Sequence, residues 1–391
     1  MLQSVLKNKV NILLPLLLFL IFCTDNTCPS IFLPLLPKLV AIFHVTRAEL
    51  KQAVSMVLAG VFLSELTIGL YFSYLDSRKV FMLLFTALIA GGICSANATN
   101  IDIFWLGEFL QGFGIGAAYP LIQVLINFYM KEKATVLLSY IPSICVFMFF
   151  LSPIIGALFY FHWTWVFYFI VIISFFMLIL ASLLPHAPRQ KMELLGPLKS
   201  LGMLCCNSQY ILGVLFNSFS SLGFYVFLAW APFIFIQDLH VSYHGFSYLL
   251  FFPTLAGFFG YVVAGLFGNK HDAAFLLGIS LALLSGALLV SLFFLKIVYP
   301  ATIIALGSLY CFAFSLIMTH NSLFILSIVK QQLSAVAMCF SSVCLNFLSV
   351  FCMMFLAKIA LDDGLILGSV FIIIALINFV LFFLRVMLRK R

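Results

Sequence analysis

The sequence predicts an all-α membrane protein whose twelve spanning helices form two six-helix bundles. Three observations support this prediction. Of the 391 residues, 65% are hydrophobic and only 8% are charged. Twelve long apolar stretches follow one another, and each is close to the roughly 20 residues that a bilayer-spanning helix needs. A polar segment at 185–208 divides them into two sets of six. We therefore expect bundles over 1–184 and 209–391, joined by a cytoplasmic linker over 185–208.

The apolar stretches set the expected helix boundaries along the chain. They cover 10–34, 53–74, 80–98, 102–129, 135–159, 163–184, 209–236, 245–268, 273–295, 299–328, 332–357 and 364–387. Several contain proline, which breaks helices in water. In a membrane, neighbouring helices satisfy the freed backbone groups, so these prolines are compatible with spanning helices.

The basic residues predict how the chain is oriented. The net charge is +8, and fifteen of the 20 Lys and Arg residues fall on the side of the two termini. This bias matches the positive-inside rule and places both termini in the cytoplasm. Topology accounts for most of the positive charge, with a weak contribution from anionic lipid headgroups, so nucleic acid is not an expected partner. Lys7, Lys9 and the following apolar run resemble a signal peptide, but no A-x-A-like cleavage site follows, which predicts an uncleaved first helix.

The predicted spans contain few ionisable side chains: Asp25, Glu65, Glu108 and His320. Inserting a charged residue at the bilayer centre costs about 2.5–3.5 kcal/mol on insertion scales, so each acid requires an explanation. Either it faces a water-filled cavity or it is protonated. We therefore assign the three acids to proton coupling. His320 is a candidate substrate or proton ligand, with an interhelical hydrogen bond as the alternative.

Helical periodicity places polar and small residues of the fourth predicted helix on one face. Glu108, Gln111, Gly112, Ile115 and Tyr119 lie within about 80–100° of one another at 3.6 residues per turn. This stripe predicts a cavity-lining face, and the alternative is a helix-packing stripe with one satisfied polar pair. In the second half, the residues expected to line the opposing wall are Asn217, Ser220, Ser221, Phe224, His320 and Asn321.

The segment 151–169, LSPIIGALFYFHWTWVFYF, carries the most specific pattern in the chain. Its Ser-Pro-x-x-Gly sequence and the W-x-W-x-F that follows resemble the fifth-helix motif of antiporters in the major facilitator superfamily. The resemblance implies that Pro153 and Gly156 permit a bend and a close helix approach. Trp163 and Trp165 also suit the outer membrane interface.

Two further segments resemble motifs of the same superfamily. EFLQGFGIGAAYP (108–120) is similar to R-x-x-Q-G-x-G of the fourth helix, but Glu108 replaces the arginine that the family ties to proton coupling. The second helix and the loop after it resemble the gating signature G-x-x-x-D-x-x-G-R-R/K. Gly69, Arg78 and Lys79 match with a one-residue insertion, while Asp76 is out of register with the signature's aspartate.

The first helix ends in FLPLLP (32–37), which is similar to the Y-L-P-A-L-P of the Bcr/CflA branch of drug/proton antiporters. The seventh and eighth helices are also similar to that branch. The resemblance implies alternating access, with the first and fourth helices lining a central cavity. Asp25 and Glu108 would then lie close together. The candidate substrate-binding residues of the first half are Phe32, Gln111 and Tyr119.

The resulting hypothesis is a monomeric, multi-pass transporter of a bacterial inner membrane that couples protons to the efflux of small cationic or neutral amphiphiles. An acidic cavity without arginine favours such solutes over anions. The alternatives are a nutrient or metabolite transporter, for example of an amino acid or siderophore, and a transport-inactive scaffold or receptor.

No enzyme motif is present, and no cofactor or metal is expected. The weak exception is a loop metal site at Asp238, His240 and His244. The ten cysteines form no CxxC pair, and packing is their expected role.

Overall fold

The structure is a computed structural model that describes residues 2–69, 75–130, 148–184, 197–267, 271–329, 334–357 and 363–389. Every regular element within these ranges is helical. Nine helices in the described residues are long and apolar enough to cross a membrane. The protein is therefore a multi-pass membrane protein, while the count of twelve spans and the cytoplasmic termini stay predictions. The first part of the predicted fifth helix, 135–147, and the linker up to residue 196 lie outside the described residues.

The chain folds as two compact units. The first contains residues 1–32 and 53–197, and the second contains residues 33–52 and 198–391. The predicted division into 1–184, 185–208 and 209–391 stays a prediction. The segment 33–52 packs within the second unit although it lies early in the sequence.

In the described residues, the first unit contains seven α-helices. They are α1 (Leu2–Thr27), most of α3 (Arg47–Ser64), α4 (Ser77–Ala96), α5 (Ile101–Gly116), α6 (Ala118–Tyr129), α7 (Met148–Leu158) and α8 (Thr164–Ser182). Side chains mark where two of them begin. Asp76 caps α4 by accepting the backbone N–H of Arg78 at 3.1 Å, and Asn100 caps α5 by accepting that of Ile103 at 2.9 Å. Helix α4 packs against both α5 and α8, while α1 packs against α6, α7 and α8.

Glycines bring α3 and α5 into backbone contact. A Cβ atom on Gly112 would lie 1.9 Å from the carbonyl oxygen of Val57, and one on Gly60 would lie 2.0 Å from that of Phe109. Neither position has room for a side chain. Small residues allow helices in membranes to approach this closely, and the approach sets the position of the polar face of α5.

Three of the predicted helices in the first half of the chain are interrupted within the described residues. Helix α1 ends at Thr27, where turns lead to a 3₁₀ helix at Leu33–Leu35. Helix α3 passes into a π-helical turn at Glu65–Gly69. The predicted fourth helix is two helices that meet at Ala117, whose backbone N–H donates to Ser64 Oγ at 3.1 Å. Buried polar side chains lie beside these interruptions. Single π-helical turns inside α-helices are frequent at functional sites.

The second unit contains the remaining elements. They are the 3₁₀ helix Leu33–Leu35, α2 (Leu36–Phe43), the first turns of α3, α9 (Pro197–Cys205), α10 (Ser208–Pro232) with a π-helical end at Phe233–Asp238, α11 (Tyr243–Leu249), α12 (Phe251–Phe267), α13 (His271–Phe294), α14 (Pro300–Ile328), α15 (Ser334–Leu356) and α16 (Asp363–Arg389). Helix α10 occupies the centre and packs against α14, α15 and α16. Its span is 78% buried inside the protein, more than any other described span. Most side chains of α10 therefore contact neighbouring helices of the second unit.

Candidate functional site

Glu108 is the centre of a buried polar cluster in the first unit. The carboxyl oxygen Oε1 accepts hydrogen bonds from Ser95 Oγ and from Gln111 Nε2, both at 2.9 Å. Gln111 Nε2 also donates to Ser95 Oγ at 3.0 Å. All three side chains are at most 1% exposed. A carboxyl group in this position is held in one geometry by two neutral donors.

Small residues allow this cluster to form. A Cβ atom on Gly107 would lie 2.2 Å from Ser95 Oγ, and one on Gly91 would lie 2.7 Å from the carbonyl oxygen of Gly107. Larger residues at either position would separate α4 from α5 and withdraw Ser95 from Glu108. The sequence analysis identified Glu108 and Gln111 but missed Ser95. A single serine near the end of an apolar helix carries no distinguishing pattern.

Asp25 lies near the end of α1. It is partly exposed, whereas Cys28 is 1% exposed and lies within electrostatic range of the carboxyl groups of both Asp25 and Glu108. Phe22, one helical turn before Asp25, packs edge-on against the ring of Tyr119 with centroids 4.2 Å apart. Asp25 and Glu108 thus both act on Cys28, and Tyr119 packs against the helix that carries Asp25.

Glu65 lies beside the contact between α3 and the junction of α5 and α6. It is 6% exposed and begins the π-helical turn after Ser64, which contacts Ala117. Glu108 precedes Ala117 by nine residues, or about 13 Å along a helix that rises 1.5 Å per residue. Ala117 also interrupts the continuous stripe that had been expected to link Glu108 to Tyr119. The role of Glu65 in proton coupling stays a prediction.

Phe32 lies in an aromatic cluster of the first unit. It is 0% exposed, and its ring centroid is 6.4 Å from that of Phe104 and 6.5 Å from that of Phe167. Trp163, from the W-x-W-x-F sequence that also contains Phe167, packs against Phe167 with centroids 6.0 Å apart. The surroundings of Phe32 in this structure are those of a core residue, and its contact with substrate stays a prediction.

The glycine of the fifth-helix motif makes the close approach that the resemblance implied. A Cβ atom on Gly156 would lie 1.8 Å from the carbonyl oxygen of Ile31, just after the end of α1. One turn earlier in α7, Ser152 Oγ lies 2.5 Å from Ser30 Oγ. Pro153, between these residues, is buried. The motif therefore packs against the interruption that follows α1.

The residues matched to the gating signature lie around the start of α4. Gly69 ends the π-helical turn, and residues 70–74 lie outside the described residues. Arg78 is half-buried and Lys79 is exposed. Asp76, which is out of register with the family's aspartate, instead caps α4. Gating by these residues stays a prediction.

In the second unit, buried asparagine side chains connect α10 with its neighbouring helices. Asn321 Nδ2 donates to the carbonyl oxygen of Gly213 at 2.7 Å, and Asn217 Nδ2 donates to Ser341 Oγ at 2.9 Å. The Phe224 ring stacks on Phe314 with centroids 5.2 Å apart and planes 3° from parallel. Asn321 and the Phe224–Phe314 stack thus lie along one contact between α10 and α14.

His320 shares a helical face with Phe324, because residues four apart in a helix lie above one another. The guanidinium carbon of Arg385 lies 3.6 Å from the centroid of Phe324 and 4.6 Å from that of Phe275 on α13. His320, which is 0% exposed, is therefore on the side of α14 that faces α13 and α16. The roles of His320 and Asn321 in binding substrate stay predictions.

The sequence analysis also missed a cluster of ion pairs in the second unit. Lys51 Nζ pairs with Asp363 Oδ1, and Arg47 Nη1 lies 2.9 Å from Asp238 Oδ1 and 3.4 Å from Asp363 Oδ2. Lys51 Nζ also lies 4.5 Å from the centroid of the Trp230 ring. Helix α3 begins at Arg47, six residues before the predicted start, because these partners compensate for burying Lys51. Asp238 pairs with Arg47, and the described residues contain no group of three or more His, Cys, Asp or Glu side chains that could hold a metal ion.

The buried pair predicts a stability difference between neighbouring basic residues. Lys51 is 5% exposed, so Lys51→Met leaves Asp363 with Arg47 alone and is expected to lower the free energy of unfolding by about 3 kcal/mol. Arg47 is 42% exposed, and Arg47→Met is expected to cost less than about 1 kcal/mol. Thermal unfolding of both variants in detergent measures the difference. Equal losses would contradict the assignment of Lys51 as the buried partner.

Comparison with known proteins identifies the family. The family model of the Major Facilitator Superfamily matches residues 16–353. The chain belongs to the major facilitator superfamily. The transporter is 22% identical over 315 residues to the uncharacterized MFS-type transporter YdgK of Bacillus subtilis (strain 168), covering 77% of each chain.

Solved structures of the superfamily share the transporter's fold. The nucleoside transporter NupG aligns with a TM-score of 0.71 and 16% identity, covering 98% of this chain and 99% of NupG. The xylose transporter XylE from E. coli aligns with a TM-score of 0.73 and 14% identity, covering 93% and 95%. At such identities the likeness extends to the fold alone, and the resemblance to the Bcr/CflA branch stays a prediction.

Proposed function

We propose that this transporter couples proton movement to the export of small cationic or neutral amphiphiles by alternating access. One observation carries the proposal: Glu108 is 1% exposed and is bonded to the neutral donors Ser95 and Gln111. The carboxyl group has no basic partner in these bonds. Its charge can therefore change only when it binds or releases a proton, which makes it a coupling site.

The sequence around the cluster supports this role for Glu108. No Lys or Arg occurs between Lys9 and Lys38 or between Lys79 and Lys131, the stretches that contain all but the first turns of α1 and α4 and the whole of α5 and α6. Asp25, in α1, lies within electrostatic range of Cys28, as Glu108 does. We assign Glu108 the role of principal proton carrier and Asp25 that of the second carboxyl group with which it titrates as a pair.

The charge of this region favours cationic or neutral solutes. A cavity with carboxyl groups and no basic residues attracts cations and repels anions. In the second unit, the Phe224 ring stacked on Phe314 offers an aromatic face of the kind that binds organic cations. We propose that Phe224 contacts the solute, which therefore combines positive charge with apolar surface.

A neutral, hydrogen-bonding nutrient is the second candidate, and Asn321 favours it. Its Nδ2 must face the Gly213 carbonyl oxygen, because that oxygen only accepts hydrogen bonds. The orientation of the amide is thus determined, and its Oδ1 is buried without a hydrogen-bond partner in the described residues. Such an acceptor suits a solute with hydroxyl or amide N–H groups, because a buried acceptor without a partner is costly.

Proteoliposomes with an internal pH indicator test the proposal. An imposed pH gradient should drive ethidium, as the amphiphilic cation, against its gradient, and ethidium added alone should move protons in the opposite direction. Amino acids and a hydroxamate siderophore serve as the nutrient probes. If these probes moved in the same direction as protons, the transporter would be an importer and not an exporter. Absence of proton-linked flux for every probe, with folded protein, would favour a scaffold or receptor.

The aromatic contact makes its own prediction. Phe224→Ala is expected to raise the KM for ethidium by about three- to tenfold, which corresponds to the loss of one cation–π contact. Phe176→Ala is the matched control, because Phe176 lies on α8 with 57% of its surface exposed and belongs to the lipid-facing side. Initial rates of ethidium transport over a concentration series give both KM values. Equal KM values would remove Phe224 from the substrate site.

The proposed location is the bacterial cytoplasmic membrane, and the proposed functional form is a monomer. A relative from Bacillus subtilis supports the location. The polar cluster around Glu108 lies within one chain, so no second copy is needed to complete it.

A further inference from the structure

Two asparagines, one on α10 and one on α14, each bury an amide oxygen. Asn321 Nδ2 donates to the carbonyl oxygen of Gly213 at 2.7 Å, and Asn217 Nδ2 donates to Ser341 Oγ at 2.9 Å. The Oδ1 atoms of both asparagines are buried and have no hydrogen-bond partner among the described residues. A buried acceptor without a partner is costly, so these two oxygens require an explanation.

The two amides are neighbours along α10. A Cβ atom on Gly213 would lie 3.6 Å from Asn321 Oδ1, so this oxygen lies beside the Gly213 position. Asn217 follows Gly213 by one helical turn on the same face, and side chains in a helix lean toward its N-terminus. The Asn217 side chain therefore leans toward Gly213, beside which Asn321 lies.

The contact between α10 and α14 continues from the amides to an aromatic pair. It aligns two stripes with matching spacing: Asn217, Ser221 and Phe224 on α10, and Phe314, Met318 and Asn321 on α14. Ser221 Oγ lies 3.8 Å from Met318 Sδ, and the Phe224 ring stacks on Phe314 with centroids 5.2 Å apart. Seven residues of helix rise about 10 Å, so the aromatic pair lies about that far from the amides.

Met318 lies between the aromatic pair and the amides. Phe224, Phe314 and Met318 are half-buried, whereas Asn321 is 0% exposed. A methionine side chain is unbranched and has three rotatable bonds, so it can turn aside without movement of the backbone. A solute that contacts the aromatic pair can then reach the amide oxygens through the space that Met318 leaves.

We propose that the contact between α10 and α14 binds an arylalkylamine, with its primary ammonium group at Asn217 and Asn321 and its ring at Phe224. An ammonium group carries three N–H donors, enough for both amides, and hydrogen bonds from a charged donor are about twice as strong as neutral ones. Neither α10 nor α14 contains Lys, Arg, Asp or Glu, so no charged side chain on these helices competes with the ammonium group. The proposal rests on the export function proposed above and narrows its solutes to cations with N–H donors.

Of the two amides, Asn321 selects for a donor. Its Nδ2 faces the carbonyl oxygen of Gly213, which only accepts hydrogen bonds, so its Oδ1 always offers an acceptor to the solute. The Ser341 hydroxyl can donate or accept, so the Asn217 amide can turn either end to the solute. A change at Asn321 is therefore the sharper test.

Phenylhexylamine and phenylhexyltrimethylammonium test the proposal because they differ only at the nitrogen. Both are cations with the same ring and the same chain, which spans about 10 Å, but the trimethyl compound has no N–H donor. Isothermal titration calorimetry of the full-length protein in dodecyl maltoside, with protein-free micelles as the blank, gives both dissociation constants. We expect phenylhexylamine to bind at least about tenfold more tightly, as hydrogen bonds from a charged donor require.

Asn321→Leu is expected to weaken binding of phenylhexylamine about tenfold and so to remove this preference. The affinity for the trimethyl compound should stay the same, which shows that the variant is folded. Asn378→Leu is the matched control and should keep the preference. Asn378, on α16, also donates to a serine of α10, Ser220 Oγ at 3.0 Å, and also buries an Oδ1 atom that lacks a partner among the described residues.

Phe224→Ala is expected to weaken binding of both probes by about three- to tenfold, because the ring and the charge are common to them. The preference for phenylhexylamine should remain in this variant, since the amides are unchanged. Unaltered affinities in Phe224→Ala would mean that the ring of the solute lies elsewhere.

Three further results would overturn the assignment. Equal affinities of the unaltered protein for the two probes, or no binding of either, would mean that no N–H donor is recognised. A preference that persists in Asn321→Leu would place the ammonium group elsewhere, and a preference lost equally in Asn378→Leu would mean that the α10–α14 contact does not determine it. These affinities are measured without a pH gradient, so they are decided separately from the proton-linked flux of ethidium that tests the proposed function.

Discussion

Glu108→Gln is expected to reduce solute flux driven by a pH gradient to the level of protein-free vesicles. Glutamine keeps the size of the side chain and an oxygen that accepts from Ser95 Oγ and Gln111 Nε2, so the geometry at the 2.9 Å contacts is retained. It cannot bind or release a proton at physiological pH. The variant therefore removes the proposed proton carrier and leaves the local structure in place.

Exchange of labelled for unlabelled ethidium, with no pH gradient, distinguishes lost coupling from lost folding. Exchange requires the transporter to reorient with solute bound but requires no net proton transfer. We expect Glu108→Gln to retain exchange at a rate near that of the unaltered protein. Gradient-driven accumulation by this variant would contradict the assignment of Glu108 as the proton carrier.

Ser95→Ala is the matched control in the same cluster. It removes one of the two hydrogen bonds to Glu108 Oε1 and leaves the carboxyl group able to titrate. We expect coupling to persist in Ser95→Ala, with an altered pH dependence of flux. If Ser95→Ala lost coupling as completely as Glu108→Gln, a carboxyl group that still binds a proton would not be sufficient, and its hydrogen-bonded position would be required.

The fold could be predicted from the sequence because the bilayer imposes long apolar helices, and the family's motifs imply their arrangement. Gln111 and Glu108 were found for a similar reason, since a polar stripe in an apolar helix is visible at a spacing of three and four residues. The close approach at Gly156 followed from the resemblance alone, and the structure contains it.

The interruption of the fourth predicted helix could not be predicted, because the residue that contacts it lies far away in the sequence. The fourth predicted helix breaks at Ala117, where the backbone N–H donates to the hydroxyl of Ser64 from α3. The local sequence around Ala117 contains no residue that supplies this bond. Lys51 was placed in a loop for the same reason: its partner Asp363 is 312 residues away, so only the folded chain reveals that the charge is compensated.

Gly156→Ala is expected to destabilise the first unit by about 1–3 kcal/mol, the usual cost of forcing an extra methyl group into a packed interior. The new Cβ would lie 1.8 Å from the carbonyl oxygen of Ile31. That atom belongs to the backbone, so no side-chain rotation relieves the contact. Helix α7 and the segment after α1 must separate, which also stretches the contact between Ser152 and Ser30.

Gly257→Ala provides the control for Gly156→Ala, because it introduces the same methyl group into another spanning helix. A Cβ atom there would lie 3.4 Å from Ser315 Oγ and 3.9 Å from the carbonyl oxygen of Cys311, which are ordinary contacts. We expect its melting temperature to equal or exceed that of the unaltered protein, since alanine favours the helix. A melting temperature of Gly156→Ala at or above that of Gly257→Ala would contradict the close packing of α7. Because Ile31 follows the helix that carries Asp25, Gly156→Ala is also expected to weaken proton coupling, whereas Gly257→Ala leaves it intact.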